Sequence, residues 1–358
     1  MEILNGTPFP VDLVIWEDLQ GLAKLTVIVK ATFEIQKGKA VVAATQVPVF
    51  TSDEHYREDL NAPVRFESDK VPVKPLADIV LVGKAHAPGQ RPVSQLDAML
   101  RVGAVQKTIR VFGDREWQFA SRLAGVAVIS SPKPFQTMEL TYERAYGGLD
   151  QNAALYCAEN PLGKGFIGRK SAESIHGKPL PNIEEPRHLI QSWDDHPRPV
   201  GFGFYGRGWM PRLKHAGTYD ERYQKERAPA LPTDFSCALF NGAHPDLQVQ
   251  GYLHGDEPVE LVNLSPQPRL KFNLPGIRPQ VTLKKWTVPP EEWFEQNASE
   301  EREVTLDQIP TVEEAVTANL DTLVLTPDEG MFYEVFRGVA SLNGLDVSNI
   351  SQIKITGG

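Results

Sequence analysis

The sequence has few cysteines, no long apolar run and no cluster of basic residues. Its 358 residues include two cysteines, Cys157 and Cys237, too few for a disulfide framework and not placed as the CxxC pairs of a zinc site. Its apolar runs stay below the roughly 18 residues that a membrane-spanning helix needs. The N-terminus, MEILNGTPFPVDL, lacks the basic and apolar regions of a signal peptide. We therefore expect a cytoplasmic protein with free thiols and no membrane association.

Positive charge is scarce. The chain has 37 Lys and Arg against 46 Asp and Glu, a net charge of −9. A protein that binds DNA or RNA needs a basic stripe to displace counterions from the phosphates. Nucleic acid is therefore not an expected partner.

What the chain does contain is alternation of apolar and polar residues. In 24–35, KLTVIVKATFEI, every second residue is apolar, which is typical of a half-buried antiparallel strand. Gly103-Ala104 suits a hairpin bend, and TPDEG (326–330) suits a turn between two strands within 320–338. Similar strand patterns occur at 77–87, 96–102, 107–113, 137–145, 247–255, 257–264 and 269–275.

The patterns predict a mainly β protein of packed antiparallel sheets, with long irregular loops and a few short helices. The 29 prolines and 28 glycines fit such a turn-rich chain. We expect one domain over 1–358. Its parts are a strand-rich block (1–145), an irregular region rich in Gly, Pro and aromatic residues (146–255), further strands (256–286), an acidic segment (287–319), and a C-terminal hairpin and tail (320–358).

The acidic segment 287–319 carries nine Asp and Glu residues against the single Arg302. Pro290 followed by two glutamates resembles a helix start, and Thr311-x-x-Glu314 has the spacing of a capping box. The segment is expected to be a solvated linker with two short helices.

Two glycine-rich stretches resemble nucleotide-binding loops but lack their context. Gly201-x-Gly203-x-x-Gly206 has dinucleotide-loop spacing, yet two prolines precede it and Pro211 follows where a helix should begin. The stretch 160–168, NPLGKGFIG, fails the phosphate-loop pattern at two defining positions. The glycines of the first stretch are expected to allow tight loops packed on aromatic rings, and no cofactor is expected.

The irregular region also contains carboxylates beside aromatic residues, an arrangement that glycoside hydrolases use. A carboxylate-based hydrolase that acts on carbohydrate or cell-wall material is therefore the alternative function. These acidic residues also commonly cap turns. The histidines show no HxH or HxxxH spacing, so no metal site is expected. The carboxylates are Asp194, Asp195, Asp220, Asp234, Asp256 and Glu257.

Trp, Tyr and Arg residues alternate within the irregular region, and these types are enriched at the energetic centres of protein interfaces. The same residues could equally form a buried second core that holds the loops in place. As candidate partner-binding residues we select Tyr205, Arg207, Trp209, Arg212, Tyr219 and Asp220.

Several long and chemically unusual motifs occur in order along the chain. Together they resemble a bacterial domain-of-unknown-function family that is encoded beside type VI secretion genes. Where that family usually has Trp-Arg-Gly after its last hairpin, this chain has Phe336-Arg337-Gly338. The motifs are KATFEI (30–35), ADIVLVGKAHAPG (77–89), VFGDREW (111–117), YERAYGG (142–148), NPLGKGF (160–166), RPVGFGFYGRGWMPR (198–212), AGTYD (216–220), LPTDF (231–235) and LDTLVLTPDEG (320–330).

The resemblance implies an adaptor or chaperone rather than an enzyme. Members of that family are similar to factors that bind a PAAR-repeat protein or a PAAR-bearing effector in the cytoplasm and help to load it onto the trimeric spike protein. The resemblance implies no catalytic residues and no cofactor.

Overall fold

The structure, a computed structural model, describes residues 1–119, 126–297, 305–342 and 347–357. Strands dominate it and the helices are short, so the predicted mainly β fold with packed sheets is confirmed.

The first part of the chain contributes β1 (Glu2–Asn5), β2 (Val11–Glu17), β3 (Ala23–Gln36), β4 (Lys39–Val42), β5 (Glu54–His55), β6 (Val64–Phe66), β7 (Ala77–Leu81), β8 (Lys84–His86), β9 (Gln95–Val102), β10 (Val105–Phe112), β11 (Trp117–Phe119), β12 (Ala127–Ile129) and β13 (Thr137–Glu139). The irregular region has only short pieces: β14 (Tyr146–Gly147), β15 (Leu149–Asp150), β16 (Leu155–Tyr156), β17 (Lys164–Gly165), α1 (Ala172–Ile175), β18 (Ile183–Glu184), α2 (Glu221–Glu226) and β19 (Gln248–Val249). The remaining elements are β20 (Pro258–Val262), β21 (Arg269–Asn273), β22 (Gln280–Trp286), α3 (Pro290–Asn297), β23 (Thr311–Thr326), β24 (Met331–Ser341) and β25 (Ile350–Thr356).

Short 3-10 turns connect several of these elements. They are Tyr56–Glu58, Pro88–Gln90, Tyr142–Arg144, Arg212–His215, Cys237–Phe240, Pro245–Leu247, Leu306–Gln308 and Val347–Asn349.

The main sheet has the strand order β1-β25-β22-β23-β24-β3-β2, with β4 beside β3 and β7 beside β23. Its pairs are antiparallel except β1 with β25 and β7 with β23. Strand β23 spans 16 residues and joins the two halves of the sheet, because its first part pairs with β22 and its second part with β24. The turn after Thr326 connects β23 to β24 as predicted.

A second sheet, of order β18-β10-β9-β20-β21, packs on one face of the main sheet. Its central hairpin turns at Gly103, whose φ of 56° is the left-handed conformation that glycine adopts without strain. Phe332 of the main sheet lies 5.0 Å from the Phe33 ring and 5.3 Å from the Phe272 ring of the second sheet. Aromatic contacts of this kind close the apolar core between the two sheets.

The opposite face of the main sheet carries three buried ion pairs. Lys30 Nζ lies 2.8 Å from an Asp69 oxygen, Lys74 Nζ lies 2.7 Å from an Asp78 oxygen, and Arg337 pairs with Asp321. Side chains alternate along a strand, so Lys30 points away from the apolar core. We call these six residues the ion-pair layer. It holds the chain between β4 and β7 against the sheet.

Two predicted strands are shorter in the structure. The strand expected over 137–145 ends at Glu139 and is followed by the 3-10 turn Tyr142–Arg144. The strand expected over 247–255 is limited to β19, and Tyr252 has a left-handed φ of 69°. Both stretches have strand-like composition, but beyond β13 and β19 the described residues of these stretches form only the isolated bridges Ala145–Ile183 and Leu253–Leu320.

The prediction for the acidic segment is correct in part. Helix α3 begins at Pro290 as expected, whereas the helix predicted at Thr311 is wrong, because Thr311–Thr317 is paired along β22. Pairing of seven residues with a neighbouring strand stabilises this segment as a strand more than one capping box would stabilise it as a helix. The charges of Glu300, Glu301, Arg302 and Glu303 lie outside the described residues.

The burial of Glu334 predicts how the free energy of unfolding depends on pH. It lies on the apolar face of β24, fully buried, and neither of its carboxyl oxygens has a hydrogen-bond partner among the described residues. Burial raises the pKa of this carboxyl well above its ordinary value of 4.5. The folded state therefore holds a proton that the unfolded chain releases as pH rises above 4.5, and stability falls with pH.

We expect Glu334→Gln to remove this loss and to increase the free energy of unfolding at pH 8 by about 1–3 kcal/mol. Urea denaturation between pH 5 and pH 9 measures the free energy of unfolding of both proteins. Glu17→Gln on edge strand β2 is the matched exposed control. Equal pH slopes for Glu334→Gln and the unchanged protein would contradict the assignment.

Candidate functional site

A cleft of about 960 Å³ opens on the surface at one end of β23. One wall is the segment 53–60, and the other is made by 82–84, Glu139 and the turn residues Asp328 and Glu329. We call this the motif cleft, because two of its lining segments, 82–84 and 328–329, belong to the sequence motifs 77–89 and 320–330.

The motif cleft exists because β7 runs parallel to β23. Leu81 and Leu325, near the carboxyl ends of these strands, are paired, so the segments that follow them lie side by side. The Asp328 carboxylate accepts hydrogen bonds from the Lys84 backbone N–H at 2.9 Å and from His86 Nε2 at 2.6 Å. Two motifs far apart in sequence thus form one wall.

Ion pairs hold the other wall in place. Arg57 donates to both oxygens of Glu143, at 2.6 and 3.1 Å. Asp53 accepts from Arg207 at 3.2 Å, and Arg65 donates to Glu329 at 2.8 Å. Because Glu143 and Arg207 belong to two further motifs, four motifs in total contribute to the cleft or to the contacts that fix it.

The lining is acidic with an apolar rim. Six carboxylates face Arg57, Arg65 and Lys84, so the Asp, Glu, Arg and Lys side chains of the lining sum to a charge of −3. Leu60 is 82% exposed at the edge. Burial raises the pKa of Tyr56 to about 12, so its phenol is neutral at physiological pH. The carboxylates that form no ion pair with any described residue are Glu54, Glu58 and Glu139.

The segment 53–60 also carries an unusual backbone. Arg57 and Glu58 have φ values of 59° and 55°, although neither is glycine. Left-handed conformations of this kind are uncommon for such residues and concentrate at sites with a functional constraint. Arg57 forms the ion pair with Glu143, and backbone hydrogen bonds from the Tyr56 N–H to the Pro63 carbonyl and from the Asp59 N–H to the Tyr56 carbonyl also constrain the segment.

Two of the six predicted partner-binding residues are buried. The Arg212 guanidinium is 4% exposed and bonds to the Glu67 carboxylate, to the Tyr205 carbonyl and, at 2.7 Å, to the Leu239 carbonyl. Tyr205 is also buried, and its hydroxyl donates to the Pro199 carbonyl at 3.0 Å. These side chains hold loops together, as the alternative of a buried second core predicted, and they offer no surface to a partner.

Trp209 packs in a small aromatic cluster. Its ring lies 5.6 Å from the Tyr142 ring and 5.9 Å from the Tyr205 ring. A Cβ atom at Gly206 would come within 2.7 Å of the Trp209 indole, and one at Gly201 within 3.1 Å of the Tyr142 ring. The prediction that glycines let this loop pack on aromatic rings is therefore confirmed for Gly201 and Gly206, whereas no described atom lies within 4 Å of a Cβ placed at Gly203.

The other three residues lie on the surface in two places. Tyr219 is 54% exposed and stacks edge-on with Tyr223 at 4.8 Å, while the Asp220 carboxylate caps α2 through the Tyr223 N–H at 2.8 Å. Arg207 is half-buried and, through Asp53, is the one member of the six that reaches the motif cleft. The six residues selected from the sequence therefore lie in three separate places, which are the packed loops around Arg212, the surface at α2 and the edge of the motif cleft.

The carboxylates of the hydrolase alternative mostly stabilise turns. Asp234 accepts from the Thr218 N–H and hydroxyl, which lowers its pKa. Asp195 accepts from the Ser192 N–H at 2.8 Å, and Glu257 accepts from the His254 and Gly255 N–H groups. A general acid for glycoside cleavage needs a raised pKa, and Asp234 shows the opposite shift.

The described residues contain no group of three metal-ligating side chains. Burial raises the pKa of both free thiols, Cys157 and Cys237, so neither is activated as a nucleophile. Burial and the nearby Lys107 lower the pKa of His244, which keeps this imidazole neutral at physiological pH.

Fold and cleft together define a two-sheet β protein with a polar surface groove. The chain belongs to a family of uncharacterized proteins conserved in bacteria (DUF2169), whose profile matches residues 20–337. The expectation of a bacterial family of unknown function that covers nearly the whole chain is thereby confirmed. No curated protein and no solved structure matches the chain. Among the described residues, no helix has both the length and the hydropathy needed to cross a membrane.

Sequence reasoning did not select the segment 53–60 or the contact of His86 with Asp328. His86 and Asp328 each lie within a motif selected from the sequence, so the sequence marked each of these residues separately. Nothing local connects them, because 242 positions separate the two side chains. Their proximity depends on the pairing of β7 with β23.

The burial of Arg212 predicts that this residue stabilises the fold rather than binds a partner. Arg212→Met leaves Glu67 buried without its main partner, and we expect the free energy of unfolding to fall by about 3–5 kcal/mol. Urea denaturation measures the loss. Arg222→Met, which breaks an ion pair exposed at 81% and 64%, is the control and should change stability by about 0.5 kcal/mol or less. A loss below about 1 kcal/mol at Arg212 would contradict a structural role.

Proposed function

We propose that the protein is a cytoplasmic adaptor that binds a PAAR-repeat protein or a PAAR-bearing effector and helps to load it onto the spike protein of a type VI secretion apparatus. The observation that carries the proposal is that two sequence motifs line one acidic cleft and two more form ion pairs with its walls. The resemblance described above supplies the identity of the partner.

The motif cleft suits recognition of a protein. It is open and wide, its two walls are braced by ion pairs, and an exposed Leu60 stands beside charged groups. Interfaces commonly combine an apolar anchor with a polar rim. In this proposal Leu60 is the anchor, and the unpaired Glu54, Glu58 and Glu139 meet basic side chains of the partner.

Loading requires only competition between interfaces. An adaptor that covers apolar or strand-edge surface keeps a free effector from aggregating. The spike protein then displaces the adaptor if its own interface with the effector is stronger. Release by this route needs neither ATP nor a metal ion.

Leu60→Asp tests the cleft as the partner site. We co-express the protein with the PAAR-containing product of a neighbouring gene, purify by an affinity tag and determine mass by light scattering. We expect a stable complex, and we expect Leu60→Asp to weaken it by about ten-fold or more. Leu22→Asp, at a leucine that is 45% exposed beside the end of β3 remote from the cleft, is the control and should bind normally.

The acidic lining also predicts dependence on salt. Raising NaCl from 0.1 to 1 M shortens the Debye length from about 10 to about 3 Å, so the complex should weaken by about ten-fold or more. Clean separation of the two proteins at low salt, with the partner soluble by itself, would overturn the adaptor function. A complex whose affinity does not change with salt would show that the acidic lining does not contribute to binding the partner.

A further inference from the structure

Lys164 is a half-buried lysine whose charge has no partner. Its ammonium forms no hydrogen bond and no ion pair with any residue that the structure describes. Burial and the nearby Arg144 lower the pKa of this amine. Loss of hydration destabilises an ammonium unless an acceptor replaces the water. The buried Lys30 and Lys74 of the ion-pair layer each have such an acceptor, a carboxylate, whereas Lys164 has none.

The backbone fixes the position of Lys164. The residue lies in β17 between Gly163 and Gly165, and it stands opposite Tyr146 of the parallel strand β14. Its N–H donates to the Ala145 carbonyl at 3.0 Å. A Cβ atom at Gly163 would come within 2.7 Å of that carbonyl oxygen, so the two segments approach this closely only with glycine at this position. A cation on such a fixed support loses little conformational freedom when it binds a ligand.

Three sequence motifs meet around this amine. Lys164, Arg144 and Asp114 each belong to a different motif, and the charges of Arg144 and Asp114 both act on Lys164. Asn182 connects these two neighbours, because its Oδ1 accepts from Arg144 at 3.2 Å and its Nδ2 donates to Asp114 at 3.1 Å. None of the four residues lines the motif cleft. The proposed adaptor function therefore leaves this cluster without a role.

Positive charge exceeds negative charge in the cluster. We call it the cationic niche, and it consists of Asp114, Lys133, Arg144 and Lys164. One carboxylate against three cations gives a net charge of +2, in a chain whose net charge is −9. Arg115 also acts on Lys164, but its own charge is compensated by an ion pair with Glu184. Asp114 and Lys133 are exposed, so the niche opens to solvent.

We infer that the cationic niche binds an oxyanion, a carboxylate or a phosphate group, which accepts hydrogen bonds from the Lys164 ammonium and the Arg144 guanidinium. Arg144 donates to the Asn182 side chain through one of its terminal nitrogens, and a guanidinium has further donors that suit a carboxylate or a phosphate. The niche is separate from the motif cleft, and the inference does not depend on the adaptor function.

Amine labelling tests the site in the unchanged full-length protein. N-Acetoxysuccinimide acetylates uncharged amines, and mass spectrometry measures the rate at each lysine. A bound anion favours the charged form of Lys164 and covers it, so we expect inorganic phosphate or acetate to slow its labelling about ten-fold. NaCl is adjusted to keep the ionic strength constant. Lys354, which is exposed on β25, is the internal control and should react at an unchanged rate.

Lys164→Met tests the same site by thermal unfolding. An anion that binds the folded state raises the unfolding temperature, so phosphate should stabilise the unchanged protein and Lys354→Met at constant ionic strength, and Lys164→Met less than either. Without added anion, Lys164→Met should be no less stable than the unchanged protein, because it removes a half-buried charge that has no partner.

The two anions distinguish the sources of the ligand. Slower labelling of Lys164 with phosphate alone supports a site for a phosphate group, and slower labelling with acetate as well supports a site that also takes a carboxylate. Labelling that neither anion slows at about 20 mM would overturn the inference. An equal thermal response to phosphate in Lys164→Met and Lys354→Met would overturn it as well.

Discussion

The ion-pair layer is the constraint on which the rest of the structure depends. An unpaired charge in a protein interior costs several kcal/mol, so Lys30, Lys74 and Arg337 can be buried only if each carboxylate partner is held against it. Asp69 comes from the segment between β4 and β7, while Asp78 is fixed by the N–H groups of Gly242 and Ala243 at 2.8 and 3.2 Å. Two long irregular segments are thereby fixed over a face of the sheet that hydrophobic burial alone would leave open.

The motif cleft follows from this arrangement. The segment fixed by Asp69 includes 53–60, the ion-paired wall of the cleft. The carboxyl end of β23 pairs with β7 and leads to the cleft, while its amino end separates from β24. Gly338 stands at the point of separation, where a Cβ atom would come within 2.9 Å of Val316.

The irregular region between β13 and β20 has a different physical basis. Its strands are two residues long, so side chains supply the order that ladders supply elsewhere. Arg212 binds two carbonyl groups and Glu67, and the rings of Tyr142 and Trp209 pack against glycines. Sequence reasoning identified these residue types as important. It could not tell a buried brace from an exposed contact, since Arg and aromatic residues serve in both roles.

The sequence by itself determined the class of fold, most long strands and the helix start at Pro290, because alternation and capping are local properties that short windows reveal. Only the tertiary structure decided that Thr311–Thr317 is a strand, that Glu334 is buried with no hydrogen-bond partner among the described residues, and that His86 contacts Asp328. Each of these depends on which strands become neighbours. Neighbour choice is set by burial and ion pairing between residues distant in the chain, and no local window contains that information.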